Sequence, residues 1–215
     1  MTGKRLLILP RYTEKGPSSR VRMFQYLPYL QKEGYEISIH PFFSDAYITA
    51  LYSHHAINTF SVLSSYIKRI NHLLWKKDFD LIWIQQEFFP WIIPGIERLF
   101  YKKNIPMIVD YDDAVFHRYD MHHNPVVRAL FSSKIDRVMQ TAAGLTVGNA
   151  YLAEHARQAG ASSIQILPSV VDTDHYSIAF DKVQSEFVIG WIGTPKTVHF
   201  LEIIKPALKA ILDKH

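Results

Sequence analysis

Short apolar runs alternate along this chain with longer stretches in which apolar residues recur at helical spacing. Residues 4–10 (KRLLILP) form an apolar run that ends in proline, and residues 35–41 alternate apolar and polar side chains, so both are typical of strands. Further strands are predicted at 81–85, 106–111, 145–147 and 164–167, separated by helices around 91–103, 125–142 and 150–159. Strands joined by helices favour right-handed crossovers, so we predict an α/β fold: a Rossmann-like parallel sheet with helices on both faces.

Two helices carry further information. The first is predicted to begin at Ser18 or Ser19, either of which can cap it, to kink at Pro28 and to stop at Gly34. The second has apolar residues three and four apart, with basic residues among them: Phe60, Leu63, Ile67, Ile70 and Leu74, and Lys68, Arg69, Lys76 and Lys77. Such a stripe is typical of a helix that packs on a sheet, and also of one that lies on an anionic bilayer.

The pattern changes after residue 171. Residues 172–186 show no clear periodicity and are predicted to be a linker. Residues 187–194 (FVIGWIGT) form an apolar run that enters a glycine-bearing turn, and residues 198–212 have helical spacing. We predict a first domain at 1–171 and an incomplete second Rossmann-like lobe at 187–215.

Composition narrows the class of protein. Of 215 residues, 48% are hydrophobic and 20% are charged, which is an ordinary globular balance. The absence of cysteine excludes a thiol nucleophile and thiolate metal ligands. The net charge of +4 favours anionic partners such as nucleotide diphosphates or acidic lipid headgroups, and no motif indicates nucleic acid. No apolar run has the length of a membrane span or the form of a signal peptide, so we expect a cytoplasmic protein.

Candidate chemistry follows the predicted strands, because ligands of open parallel sheets bind outside the carboxyl ends of the strands. The loop after the first strand offers backbone donors, hydroxyls and guanidinium groups to an anion through Gly16, Ser18, Ser19, Arg20 and Arg22. Its alternative is a capped helix with solvated arginines.

Carboxylates follow two later strands. Asp110, Asp112 and Asp113 can share a cation, raise one another's pKa values, or bond to sugar hydroxyls and backbone N–H groups. Glu87 stands beside aromatic rings that could stack on a sugar, and its alternative is a buried aromatic corner.

Five segments, taken in order, resemble glycosyltransferase family 4 of the GT-B fold. They are GPSSRVRMFQYLPYLQKEGYEISIHPF, FDLIWIQQEFFPWIIPG, NIPMIVDYDDAVF, AAGLTVGNAYLAEHARQAGASSIQILPSVVDTDHY and IGWIGTPKTVHFL. The resemblance implies two Rossmann-like lobes, with the acceptor on the first and the nucleotide sugar mainly on the second. It also implies retaining transfer without a metal, and no cofactor beyond the nucleotide-diphosphate sugar as co-substrate.

The resemblance also implies roles for particular residues. The segment with Gly16, Ser18, Ser19 and Arg20 looks like the family's Gly-rich loop near the donor phosphates and the acceptor. Gly148 and Asn149 are similar to the family's pair of cleft-lining residues at a strand end. Gly193 and Thr194 look like its first donor-binding loop.

The sequence departs from the family at two strand ends. Many relatives have a histidine where Gln86 and Glu87 stand, and others have His-Asp where Asp112 and Asp113 stand. We take Asp113 and Glu87 as candidate catalytic residues, with Gln86 and Asp112 as substrate-binding residues. The family's donor-lobe Arg/Lys pair and its two glutamates would lie beyond His215, so we expect no turnover by this chain alone.

The resemblance implies hexosyl transfer from a nucleotide sugar to a glycan or lipid-linked acceptor, as in cell-envelope polysaccharide biosynthesis. In that enzyme Arg20 and Arg22 would contact anionic groups. Asp112 and Asp113 would bind sugar hydroxyls, and Glu87 would line the cleft. The basic helix at 60–77 would contact the inner face of the membrane. Two alternatives stay open. One is a noncatalytic binding or scaffolding module derived from the first lobe, and the other is a metal-dependent GT-A-type transferase that uses Asp110 and Asp112.

Overall fold

Six parallel strands form one sheet in the order β2-β1-β3-β4-β5-β6. The computed structural model describes residues 3–53, 56–75, 79–94, 105–174, 176, 188–193 and 197–214. The strands are β1 (Arg5–Leu9), β2 (Glu36–Ile39), β3 (Leu81–Gln85), β4 (Met107–Tyr111), β5 (Gly144–Val147) and β6 (Ile164–Ile166). All six strands predicted for the first domain are confirmed, and so is the α/β, Rossmann-like class.

Strand β1 shows why the apolar runs become central strands. Leu7 and Leu9 lie in the larger core, while Leu6 and Ile8 lie in a smaller core with Met23 on the opposite face. All four β1 leucine and isoleucine side chains are buried, and complete burial of one such side chain contributes about 1.5–3 kcal/mol. A run without alternation therefore fits a strand that is covered on both faces.

Helices connect the strands. They are α1 (Pro17–Arg22), α2 (Leu27–Lys32), α3 (Asp45–Tyr52), α4 (Thr59–Trp75), α5 (His117–Asp120), α6 (Pro125–Phe131), α7 (Lys134–Thr141), α8 (Ala150–Gln158) and α9 (Leu201–Leu212), with 3₁₀ turns at Phe24–Tyr26 and Val198–Phe200. The helix predicted at 91–103 lies mostly outside the described residues. No helix in the described part of the chain is long and apolar enough to cross a membrane.

The first predicted helix differs from its prediction in two ways. It is divided into α1 and α2, and Pro28 stands in the first turn of α2, where its missing N–H costs nothing. The N-cap of α1 is Gly16 followed by Pro17, so neither Ser18 nor Ser19 caps the helix. Because Pro17 presets the helical backbone, both serine hydroxyls are available to the neighbouring strands.

Helix α4 packs with a different face from the one its apolar spacing suggests. Phe60, Leu63 and Ile67 are 82%, 56% and 52% exposed. The core contacts come from Val62, Tyr66, Ile70 and Leu73. The packing interpretation is therefore wrong for the first three of these stripe residues and correct for Ile70.

The basic residues of α4 also differ from their prediction as one solvent-exposed flank. Lys68 is exposed, whereas Arg69 is buried and donates to the backbone oxygens of Pro10 and His40 at 3.2 and 3.1 Å. Lys76 and Lys77 lie outside the described residues.

The C-terminal segment is described in part. Helix α9 confirms the helix predicted near 198–212, and none of its residues is buried. Residues 188–193 are described without strand structure, so the strand predicted there is not formed over those residues. The boundaries of the linker and of a second lobe stay predictions.

Candidate functional site

The candidate site lies at the carboxyl edge of β1, β3 and β4. Strand order reverses between β1 and β3, because β2 lies on one side of β1 and all later strands lie on the other. Such a switch point separates the loops that follow the two strands and opens a crevice there. The loops after β1, β3 and β4 carry most of the residues that the sequence singled out.

A hydrogen-bond network centred on Gln85 joins these loops. Its Oε1 accepts from the hydroxyl of Ser19 at 2.6 Å and from the backbone N–H of Arg11 at 3.0 Å. Its Nε2 donates to Ser18 Oγ at 2.7 Å, and that hydroxyl in turn donates to Asp112 Oδ2. Ser18 and Ser19, predicted to bind substrate, are thus engaged in holding the β1 loop against β3 and β4.

Arg22 and Asp110 form a buried ion pair below the network. Arg22 Nε and Nη2 donate to the two carboxylate oxygens at 3.0 and 2.5 Å, and Nη1 donates to the backbone oxygen of Leu167 at 2.5 Å. Thr146 Oγ1 donates to the same carboxylate at 2.6 Å. Burial raises the pKa of Asp110, while its bonds to Arg22 and Thr146 act to lower it.

This pair corrects two expectations. Arg22 is 2% exposed and cannot meet a substrate anion in this arrangement. Both oxygens of Asp110 are occupied, so the pairing of Asp110 with Asp112 that a GT-A-type metal site requires is not offered by this geometry. Among the described residues, no group of three histidine, aspartate or glutamate side chains is placed to hold a metal ion.

Glu87 is enclosed by hydrogen-bond donors and cations. Its side chain is 1% exposed, and Tyr119 Oη lies 3.0 and 2.9 Å from its two oxygens. Arg118 Nη1, Lys134 Nζ and Arg11 Nη1 lie 3.3, 3.4 and 3.6 Å from the carboxylate. The expectation that Glu87 lines the cleft is therefore wrong for this conformation, because the carboxylate faces protein groups instead of solvent. The alternative, a buried corner, describes it better.

Gln86 forms a strained turn between β3 and Glu87. Its φ is 68°, a left-handed value that non-glycine residues seldom adopt, and the N–H of Glu87 donates to the backbone oxygen of Gln85 at 2.9 Å. Gln86 is buried, and its Oε1 accepts from Arg11 Nη1 at 3.1 Å. Strain of this kind concentrates at functional sites, where the surrounding structure maintains it.

Asp112 and Asp113 are the more open carboxylates. Asp112 Oδ1 is buried and accepts no hydrogen bond from the described residues, whereas its Oδ2 is held by Ser18. Asp113 is an exposed residue whose carboxyl is partly shielded from water. This shielding, and then the charge of Asp112, raises the pKa of Asp113, and Arg118 acts to lower it.

The remaining predicted residues are partly structural and partly exposed to solvent. Gly16 is buried, and a Cβ there would lie 2.4 Å from Tyr12 Cβ, while Asn149 Oδ1 caps α8 by accepting from Leu152 N at 3.0 Å. Gly148 lies against the backbone of Asp112, at 3.4 Å for an added Cβ. Arg20 donates to the backbone oxygen of Glu14 at 3.1 Å and keeps part of its surface in solvent. Gly193 is exposed and Thr194 lies outside the described residues, so the donor loop stays a prediction.

Sequence reasoning missed several members of the site. Arg11, Arg118 and Lys134 converge on Glu87 from three separate segments, and no local pattern marks them. Trp91 is exposed beside them, with a φ of 61°, and its ring meets that of Tyr119 edge to face at a centroid distance of 5.2 Å. Gln85 alone gave a usable signal, since it is a polar residue at the end of an apolar strand.

No protein-family model matches this chain, and no curated protein matches it. The resemblance to glycosyltransferase family 4 therefore rests on the ordered segments alone.

Proposed function

We propose that this chain is the acceptor-binding part of a glycosyltransferase resembling family 4. The enzyme would transfer a hexosyl group from a nucleotide sugar to a glycan or lipid-linked acceptor of the cell envelope. The observation that carries the proposal is the exposed carboxylate of Asp113, with Asp112 fixed beside it, at the carboxyl edge of a Rossmann-like sheet near its switch point. A buried carboxylate oxygen without a donor costs on the order of 1–3 kcal/mol, and Asp112 Oδ1 is such an oxygen among the described residues, next to exposed Asp113.

The surrounding structure supports recognition of a sugar. The network from Gln85 through Ser18 fixes Asp112, so that carboxylate is held in place before a ligand arrives. Trp91 offers an exposed ring on which a sugar face can pack. In this arrangement Asp113 receives the reacting hydroxyl of the acceptor, and Glu87 acts as a positioning residue that holds Tyr119 and the neighbouring cations.

Sugar binding tests the proposal directly. We expect saturation-transfer NMR on the 215-residue chain to detect at least one member of a panel of methyl glycosides and nucleotide sugars. Asp112→Asn and Asp113→Asn should weaken that signal, because an amide replaces one acceptor oxygen with a donor. Asp213→Asn, on the exposed end of the chain, is the matched control and should leave it unchanged. A folded wild-type chain that binds no sugar, or two site variants that bind as well as wild type, would contradict the proposal.

A transfer assay distinguishes the glycosyltransferase from the noncatalytic binding module, because both would bind a sugar. Sugar binding without transfer by any longer form that contains this chain would favour the noncatalytic module. Transfer that persists in excess chelator would favour the metal-independent enzyme that the resemblance implies.

We also propose that α4 contacts an anionic bilayer. Phe60, Leu63 and Ile67 project from one side of α4, and no aspartate or glutamate occurs between residues 46 and 77. Tyr66, on the core-facing side of α4, donates from Oη to the backbone oxygen of Pro90 at 2.5 Å, so α4 lies next to the loop that carries exposed Trp91. Apolar side chains without neighbouring carboxylates fit the headgroup region of acidic lipids, where each lysine or arginine contributes about 1 kcal/mol.

A further inference from the structure

Three cationic side chains meet at the carboxylate of Glu87. Arg11, Arg118 and Lys134 all approach this one carboxylate within 3.6 Å. Asp113 influences Arg118 electrostatically, yet no ion pair joins the two within the described residues. Arg11 Nη1 and Arg118 Nη1 approach the same oxygen, Glu87 Oε1, at 3.6 and 3.3 Å, so among the described residues these two guanidinium groups share one carboxylate. A further anion between them would reduce the repulsion of their like charges.

The three cations are not equally committed to the protein. Lys134 is fully buried, and its ammonium donates to the backbone oxygens of Phe89 and Ile92 at 2.8 Å as well as facing Glu87. Arg11 and Arg118 keep 13% and 31% of their side-chain surface in contact with solvent. Each guanidinium has five N–H donors, more than the contacts above occupy. Arg11 and Arg118 are therefore the two that can still bind a ligand.

Arg11 is held rigidly. Its Nε donates to Tyr12 Oη at 3.2 Å and its Nη1 to Gln86 Oε1 at 3.1 Å. The guanidinium carbon also lies 5.6 and 5.7 Å from the ring centroids of Tyr12 and Phe43. A guanidinium that is already ordered loses little entropy when it binds an oxyanion.

The two arginines lie close to each other. Both lie close enough to Tyr47 that each acts to lower its pKa, which burial and then Tyr12 raise. They come from the loop after β1 and from α5, and both approach Oε1 of Glu87.

We propose that Arg11 and Arg118 form an anion subsite that receives a phosphate group. The inference deepens the proposed function, on which it rests for the identity of the ligand as a substrate. Phosphate oxygens occur both in the diphosphate of a nucleotide sugar and in a lipid-linked acceptor, and arginine binds them through two parallel hydrogen bonds. Glu87 sets the strength of the subsite, because its negative charge offsets part of the positive charge of Arg11 and Arg118.

Calorimetric titration of the 215-residue chain with inorganic phosphate at low ionic strength tests the subsite. Arg118→Gln should lower the affinity by about tenfold or more, as expected for loss of a charge-assisted hydrogen bond, and Arg11→Gln should do the same. Arg118→Lys should retain part of it, because the charge remains and the two-pronged geometry is lost. Arg157→Gln is the matched control, since this exposed arginine pairs with Glu154 on the surface of α8.

Glu87→Gln gives the sharper readout. If Glu87 has a purely structural role, the Glu87→Gln protein should be less stable or unfolded. If it belongs to the anion subsite, Glu87→Gln should bind phosphate more tightly than wild type and show a larger increase in Tm when phosphate is added. Folding is followed by circular dichroism. Wild-type phosphate affinity in folded Arg118→Gln, or no additional phosphate stabilisation in Glu87→Gln, overturns the proposal.

Two further probes identify the source of the phosphate. Competition by UDP assigns the subsite to the donor, and competition by n-octyl phosphate assigns it to a lipid-linked acceptor. Failure of both probes to displace inorganic phosphate would overturn the assignment to a substrate. The proposed phosphate contacts come from Arg11 and Arg118 and the proposed sugar contacts from Asp112 and Asp113, so an anion subsite can stand or fall separately from sugar recognition.

Discussion

Removal of the Arg22 side chain is expected to destabilise the protein severely. In Arg22→Met the carboxylate of Asp110, which is 0% exposed, loses two hydrogen bonds of 3.0 and 2.5 Å and keeps the one from Thr146 at 2.6 Å. A buried charge without its counter-ion typically costs about 3–5 kcal/mol. Leu167 also loses a donor to its backbone oxygen, which separates the end of β6 from α1.

The double variant Arg22→Met/Asp110→Asn separates the buried charge from the lost packing. It should recover a large part of the loss, because an amide at position 110 carries no charge to desolvate. A domain of this size has a free energy of unfolding of about 5–15 kcal/mol, so the single variant should lose a large fraction of it.

Urea unfolding followed by circular dichroism measures the effect. With a slope of roughly 2–3 kcal/mol per M, the midpoint of Arg22→Met should fall by about 1–2.5 M. The control is Arg157→Met, which removes an exposed pair with Glu154 and should change the free energy of unfolding by less than about 1 kcal/mol. The reasoning is refuted if Arg22→Met and the control shift the midpoint equally, or if the double variant is as unstable as the single one.

Two further predictions concern the site and the membrane. The pKa of Asp113 should lie above the ordinary aspartate value in carbon-13 NMR. It should fall in Asp112→Asn, which removes a like charge, and rise in Arg118→Gln, which removes an opposite one. Opposite signs in these variants would disprove the assigned causes. The wild-type chain should sediment with phosphatidylglycerol vesicles, and the triple replacement of Phe60, Leu63 and Ile67 by serine should remain in the supernatant. The matched control replaces exposed Ile203, Ile211 and Leu212 by serine, and equal sedimentation of wild type and the α4 variant would exclude α4 as the contact.

The sequence by itself determined the layers of this protein. Apolar runs such as the one that became β1 predict buried parallel strands, because a strand covered on both faces shows no alternation. The positions of Asp112 and Asp113 after β4 followed from the same periodicity, since the end of an apolar run marks the end of a strand.

Only the tertiary structure decided which side chains are available to a ligand. Arg22 and Glu87 resembled binding residues in the sequence, yet Arg22 pairs with a residue 88 positions away and Glu87 with arginines and a lysine from three segments. The exposed face of α4 was equally hidden, because spacing locates an apolar stripe but not the surface that another element covers. Periodicity is a local property of the chain, whereas burial and ion pairing depend on contacts between distant segments, and these exist only after folding.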